Sequence, residues 1–147
     1  MRSTTTADRY RIQRPKIRAE AVNLNDRAIR KPGPDHPIVI EPSWTHVIVT
    51  VAGRAIVDTR KALVLREAKY PPILYVPRSD ADMALLLRSE LTSYCPYKGD
   101  CCYFDIPIGG DKSKNAVWTY EAPYPAVAEI KEHLAFYPDR VDSMGES

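Results

Sequence analysis

The stretch from Thr92 to Phe104 constrains this chain most, because Cys95, Lys98, Asp100 and three phenols (Tyr94, Tyr97, Tyr103) crowd around a Pro/Gly turn between two apolar arms. Pro96 fixes φ and removes a backbone donor, while Gly99 permits a positive φ, so the run reads as a strand, a tight turn and a strand. Such a turn holds Tyr97 and Lys98 out on a rigid loop, with the Lys98 ammonium projecting from its tip. That is how a binding site is presented. None of these residues by itself names a reaction.

At 147 residues, 44% of them hydrophobic, the chain has material for one domain and one core. It holds no run long and apolar enough for a membrane span, and Met1 to Thr6 lacks the apolar segment of a secretory signal, so the expected compartment is the cytoplasm. Three cysteines, two of them adjacent, cannot build a disulfide framework and suit a reducing compartment. The net charge of +2 hides an asymmetry: residues 1–36 carry nine Lys/Arg against four Asp/Glu, and the remainder carries 12 against 15. The first 36 residues therefore read as a basic arm, partly disordered or draped over the body. No aromatic residues interleave with its charges as a nucleic-acid surface would require.

The arm closes on Lys31-Pro32-Gly33-Pro34-Asp35-His36-Pro37, a cluster of breakers, and a single β-rich domain is expected over 37–142, with a flexible tail at 143–147. Short β segments follow: Ile38 to Ile40, Thr45 to Val51 and Arg54 to Thr59, the last two joined through Ala52-Gly53 as a hairpin. Val47, Val49 and Val51 share one face, which packs inward and leaves His46 towards the surface. Arg60 to Glu67 reads as a strand. Tyr70 to Pro77, bracketed by prolines, reads as an extended segment near a sheet edge. Ser79 to Asp82 offers a cap for a short turn. Tyr103 to Pro107 and Ala116 to Glu121 make a further hairpin, with Trp118 and Tyr120 on one face. Pro125 opens a helix over Ala126 to His133 whose buried stripe is Val127, Ile130 and Leu134, and Leu134 to Tyr137 forms the last strand.

Gly53 to Thr59, Ala62 to Glu67, Tyr70-Pro71-Pro72, Cys95-Pro96-Tyr97-Lys98-Gly99, Ala116 to Tyr120 and Ala135 to Asp142 together resemble the domain-of-unknown-function family four hundred and twenty-seven, sometimes labelled nucleotidyltransferase-like. The resemblance covers about residues 38–142. It implies a mainly β fold of compact antiparallel sheets similar to the β-tent (Mss4-like) of methionine-R-sulfoxide reductases and of the cereblon ligand-binding domain. It implies no established activity.

Relatives within the wider β-tent group hold zinc between paired Cys-x-x-Cys knuckles, and this chain has neither knuckle. Cys95 stands alone, and strand alternation sends Cys101 and Cys102 to opposite faces, so no zinc is expected. Asp80 and Asp82 could hold Mg²⁺ only with a third carboxylate, and a pair of surface aspartates capping a turn is the simpler reading. Cys95 is the one candidate nucleophile, its thiolate stabilised by the nearby Lys98 ammonium, with no histidine close in sequence and His133 able to arrive only through the fold; the ordinary alternative is a packed thiol. A ligand site made of Lys98, Tyr97, Trp118, Tyr120 and Glu67 makes a better combined case, with aromatic walls supplying area and one ammonium and one carboxylate fixing orientation. Three of them have a plainer reading: Trp118 as core, Lys98 as a solvated turn lysine, Glu67 in a salt bridge with Arg60 or Lys69. The expectation is thus a small-molecule-binding domain of unknown ligand with a pocket near Cys95–Gly99, with no cofactor, and an uncharacterised enzyme is one form such a domain can take. A structural or protein-interaction module is the alternative.

Overall fold

The computed structural model describes residues 27–147, and its smaller sheet grows from the hairpin around Ala52-Gly53. Strands β1 (Ile38–Pro42), β2 (Val47–Val51), β3 (Arg54–Thr59), β4 (Leu63–Glu67) and β5 (Ile73–Pro77) come first. They are followed by β6 (Leu87–Cys95), β7 (Gly99–Asp105), β8 (Val117–Thr119), β9 (His133–Phe136) and β10 (Ser143–Glu146). Ala52 and Gly53 both take positive φ, 51° and 75°, which is the twist that lets two residues join β2 to β3. The three-stranded sheet has the order β10-β2-β3, and the seven-stranded sheet β1-β4-β5-β9-β8-β7-β6, with every pairing antiparallel and neither sheet closed into a barrel. Among the described residues the fold is mainly β, as expected, with only short helical turns between strands.

The large sheet separates two cores. On one face Val76, Val117, Leu134 and Phe136 meet Val47, Val49, Val51 and Ile56 of the small sheet in an aliphatic layer. Each such fully buried side chain stabilises the fold by about 1.5–3 kcal/mol through area removed from water. On the other face Trp118, Tyr75, Tyr103, Tyr120 and Tyr137 gather with Cys95, Cys101, Val127 and Ile130. Strand alternation makes this division: neighbours such as Tyr75 and Val76 must point to opposite sides.

Several expectations change. The segment bracketed by prolines, β5, is interior, lying between β4 and β9, because Pro77 sits at its last position, where the ladder ends. The helix expected over Ala126 to His133 is a 3-10 segment, Pro125–Ile130, interrupted at Val127, whose backbone leaves the helical region. Its Val127 and Ile130 are buried as the stripe requires, but His133 and Leu134 already belong to β9. Asp82 precedes the 3-10 turn Met83–Leu85 without a side-chain cap. The end of the chain is not loose: Ser143 to Glu146 pair with Thr50 to Val47, so β10 completes the small sheet. Of the basic arm, residues 1–26 lie outside the described residues, and the part from Arg27 to His36 drapes over the β6–β7 hairpin.

Candidate functional site

Pro96, Tyr97 and Lys98 form the loop between β6 and β7, with Cys95 opposite Gly99 in register. The Lys98 amide donates to the Cys95 carbonyl at 3.2 Å, and Gly99 takes a φ of +107°. A Cβ at Gly99 would meet the Ala122 carbonyl oxygen at an ordinary contact distance of 3.4 Å, so it is the positive φ that favours glycine here. The turn closes with Gly99 at positive φ, as its sequence requires. It is not a free tip, however: the Tyr124 amide bonds the Lys98 carbonyl at 3.0 Å from one side, and the Arg30 amide bonds the Pro96 carbonyl at 3.0 Å from the other.

Covered on both sides, the turn sends Lys98 inward, and the residue is 0% exposed. This corrects the expectation of a lysine projecting into solvent. Its Nζ donates to Glu67 Oε1, and the Cys95 Sγ lies 3.9 Å away. Glu67 is itself buried at the end of β4, and its second oxygen, Oε2, lies 2.7 Å from His36 Nε2. The His36 ring stacks flat on Tyr97, with centroids 4.0 Å apart and 5° between planes. Lys98, Glu67, His36 and Tyr97 therefore form one continuous row from the interior to the surface. The partner of Glu67 is neither Arg60 nor Lys69. Asp100, the other carboxylate near Lys98 in sequence, pairs with Arg27.

An aromatic wall stands in the same core. The Trp118 indole N–H donates to the Tyr75 hydroxyl at 3.2 Å, and its ring packs against Tyr137 at 4.5 Å between centroids. Trp118 and Tyr120 are fully buried. Trp118 is both a core tryptophan and part of the cluster, so its two readings are not exclusive here. All five residues expected to bind a ligand thus fall on one side of the large sheet, Tyr97 packed against the aromatic core that holds Trp118 and Tyr120. His36, Tyr75 and Tyr137 join the group without having been singled out from the sequence. Tyr137 had a signal in its position within Phe136-Tyr137-Pro138, but His36 sits in a breaker cluster that reads only as a boundary.

The strap from Arg27 to His36 closes the outer side. Arg27 pairs with Asp100 and lies over the Tyr94 ring at 3.9 Å, while the Tyr94 hydroxyl donates to the Ala28 carbonyl at 2.7 Å. Burial, then the neighbouring Tyr124 hydroxyl, push the Tyr94 phenol well above its ordinary range, so it acts here as a donor and not as an acid.

The candidate nucleophile Cys95 is buried beside Lys98, and His133 does not reach it, its Nδ1 lying instead 2.8 Å from the Lys131 carbonyl oxygen. Cys102 lies elsewhere, on the outer side of β7, where burial and the nearby Glu121 raise its thiol above the ordinary value. The three cysteines are not joined in a disulfide. Asp80 accepts from the Thr59 hydroxyl at 2.7 Å, and among the described residues no three His, Cys, Asp or Glu side chains gather as a metal site would need. No helix among the described residues is long and apolar enough to cross a membrane.

No curated protein matches the chain. The family model described as Domain of unknown function (DUF427), which also bears an NTP-transferase label, matches residues 39–147. That span holds the Glu67 and Lys98 pair, the aromatic wall and both sheets, and it leaves out the strap and His36. With the match extending over most of its length, the chain belongs to the DUF427 family.

Proposed function

We propose that the protein is a small-molecule-binding domain whose site is built on the Glu67–Lys98 pair and the aromatic wall beneath the β6–β7 turn. One observation carries this reading: a lysine and a glutamate are buried together at 0% and 3% exposure, with a thiol and a row of phenols around them. Desolvating two charges costs several kcal/mol per ion, and an apolar pair of the same volume often serves stability as well or better. Ionisable groups kept in such a position mark a functional site more often than chance. The ligand this chemistry suits has an aromatic or apolar body to lie against Trp118 and Tyr120, and polar groups that can both accept from Lys98 and donate to Glu67. Entry would be at His36 and Tyr97, the partly exposed end of the row. Three thiols outside any disulfide support a cytoplasmic setting.

A second reading, a structural or interaction module, is favoured by two facts. The Lys98 ammonium is already satisfied by Glu67, and Trp44 stands 85% exposed elsewhere on the surface. A metabolite-library thermal-shift screen, with native mass spectrometry of the purified protein, decides between the two. The comparison chain is the double variant Glu67→Gln with Lys98→Met, which removes both charges and keeps the packed volume. A ligand that binds the wild type and loses at least about tenfold in affinity for the double variant supports the site. A ligand that binds both chains equally sinks it.

A further inference from the structure

Arg66 and Glu67 are neighbours on β4 and therefore point to opposite faces of the large sheet. Glu67 enters the Lys98 site, whereas Arg66 borders a groove of about 330 Å³ on the other face, where β10 leaves the outer strands uncovered. Val64, Leu74, Phe136 and Met144 line it with apolar surface, and Arg66 and Glu146 supply its charges. The volume lies at the small end of the roughly 300–1,000 Å³ usual for small-molecule sites. Glu146 accepts from the Thr45 hydroxyl at 2.9 Å, while Arg66 makes no ion pair among the described residues.

We propose that this groove binds a small amphiphilic monocarboxylate, its apolar body against Leu74, Phe136 and Met144 and its carboxylate on Arg66. A single guanidinium matches a carboxylate in a planar, two-bond geometry, and the apolar lining takes the remainder of the molecule out of water. The class is limited to one negative charge because two carboxylates flank the site: Glu146, and Glu41, which lies opposite Val64 in the β1–β4 register. A phosphate monoester or a dicarboxylate would meet both. This site is separate from the Lys98 site and does not depend on it.

Calorimetric titration of the full chain with octanoate, octanol and octylamine tests the proposal. Octanoate should bind saturably and more tightly than either analogue. Arg66→Met, at an exposed position, should keep the unfolding midpoint and weaken octanoate by at least about tenfold, as loss of a charge-assisted contact implies. Glu146→Gln removes a like charge and should leave octanoate binding equal or tighter. The double variant Glu67→Gln with Lys98→Met should bind octanoate as the wild type does. Octylamine binding as tightly as octanoate, no effect of Arg66→Met, weaker binding to Glu146→Gln, or no saturable binding at all would each overturn the assignment. Loss of octanoate binding in the double variant would place it at the inner site and overturn it equally.

Discussion

The two faces of the large sheet hold the chain together by different means. Towards the small sheet the contacts are Val, Ile, Leu and Phe, and burial of apolar area accounts for the layer without further argument. On the far side the same strands present Trp118, four tyrosines, two thiols and a buried ion pair, so stability there depends on every polar group finding a partner. A face built only for stability would have no use for that cost. The difference teaches what each layer depends on: the aliphatic layer between the sheets rests on shape and volume, whereas the aromatic face fixes particular donors and acceptors in place.

The largest effect should come from breaking the ion pair on one side only. Glu67→Gln leaves the Lys98 ammonium buried without its carboxylate and should destabilise the fold by about 3–5 kcal/mol in denaturant unfolding. Adding Lys98→Met should recover a large part of that loss. If the single and double variants are equally unstable, Glu67 acts through packing and the contrast between the faces fails.

Leu134→Ala, in the aliphatic layer, should cost about 2–5 kcal/mol through lost transfer energy and the cavity left behind. No second substitution of a polar partner should rescue it, which is the signature expected of that face. Rescue by any charge change on the far face would show that the two layers are not independent.

Tyr94→Phe removes the hydroxyl that donates to the Ala28 carbonyl and contacts Tyr124, and should cost about 0.5–1.5 kcal/mol. Hydrogen exchange should show the main effect at the Arg30 amide, because that bond ties the strap to the turn. Unchanged protection at Arg30 would mean that the strap is held by its other contacts, Arg27 with Asp100 and His36 with Glu67.

The smallest effect is a pH dependence at the rim of β8. Arg88, then Arg78, bond Glu121 and hold its carboxyl below its ordinary value near 4.5, against the opposing effect of partial burial. Because the folded value is depressed, the stabilisation is present above pH 4.5 and is lost as pH falls through the lower folded value. Glu121 is 39% exposed, so solvent screening limits the contribution to about 1 kcal/mol or less. Glu121→Gln should flatten the acid limb of the stability profile while leaving the neutral plateau within about 1 kcal/mol of wild type. An acid limb of unchanged slope would assign that dependence to other carboxylates.

Much of the strand content was legible before the fold was seen, and so were the position of the turn at Pro96 and Gly99 and the residues that gather on the aromatic side. β3 falls at Arg54 to Thr59 as read, and Val47, Val49 and Val51 face inward as their alternation requires. The position of β5 inside the sheet was not legible, since prolines at both ends of a run describe local pairing and say nothing about which strand arrives beside it. The tail failed for the same reason: Ser143 to Glu146 have no apolar pattern, and they form a strand because β2 offers an open edge.

The sequence alone determined the periodicities, the turn chemistry and the family, because these rest on neighbours within a few residues of one another. Whether Lys98 met water or Glu67 was decided by the tertiary structure. The Tyr124 and Arg30 amides, from segments distant in sequence, close over the turn from both sides, and a lysine without access to solvent must find its carboxylate inside. His36 was placed in the same way, arriving from the basic arm to stack on Tyr97 and complete the row. Contacts of that kind depend on which distant segments the fold brings together, and local pattern carries no record of them.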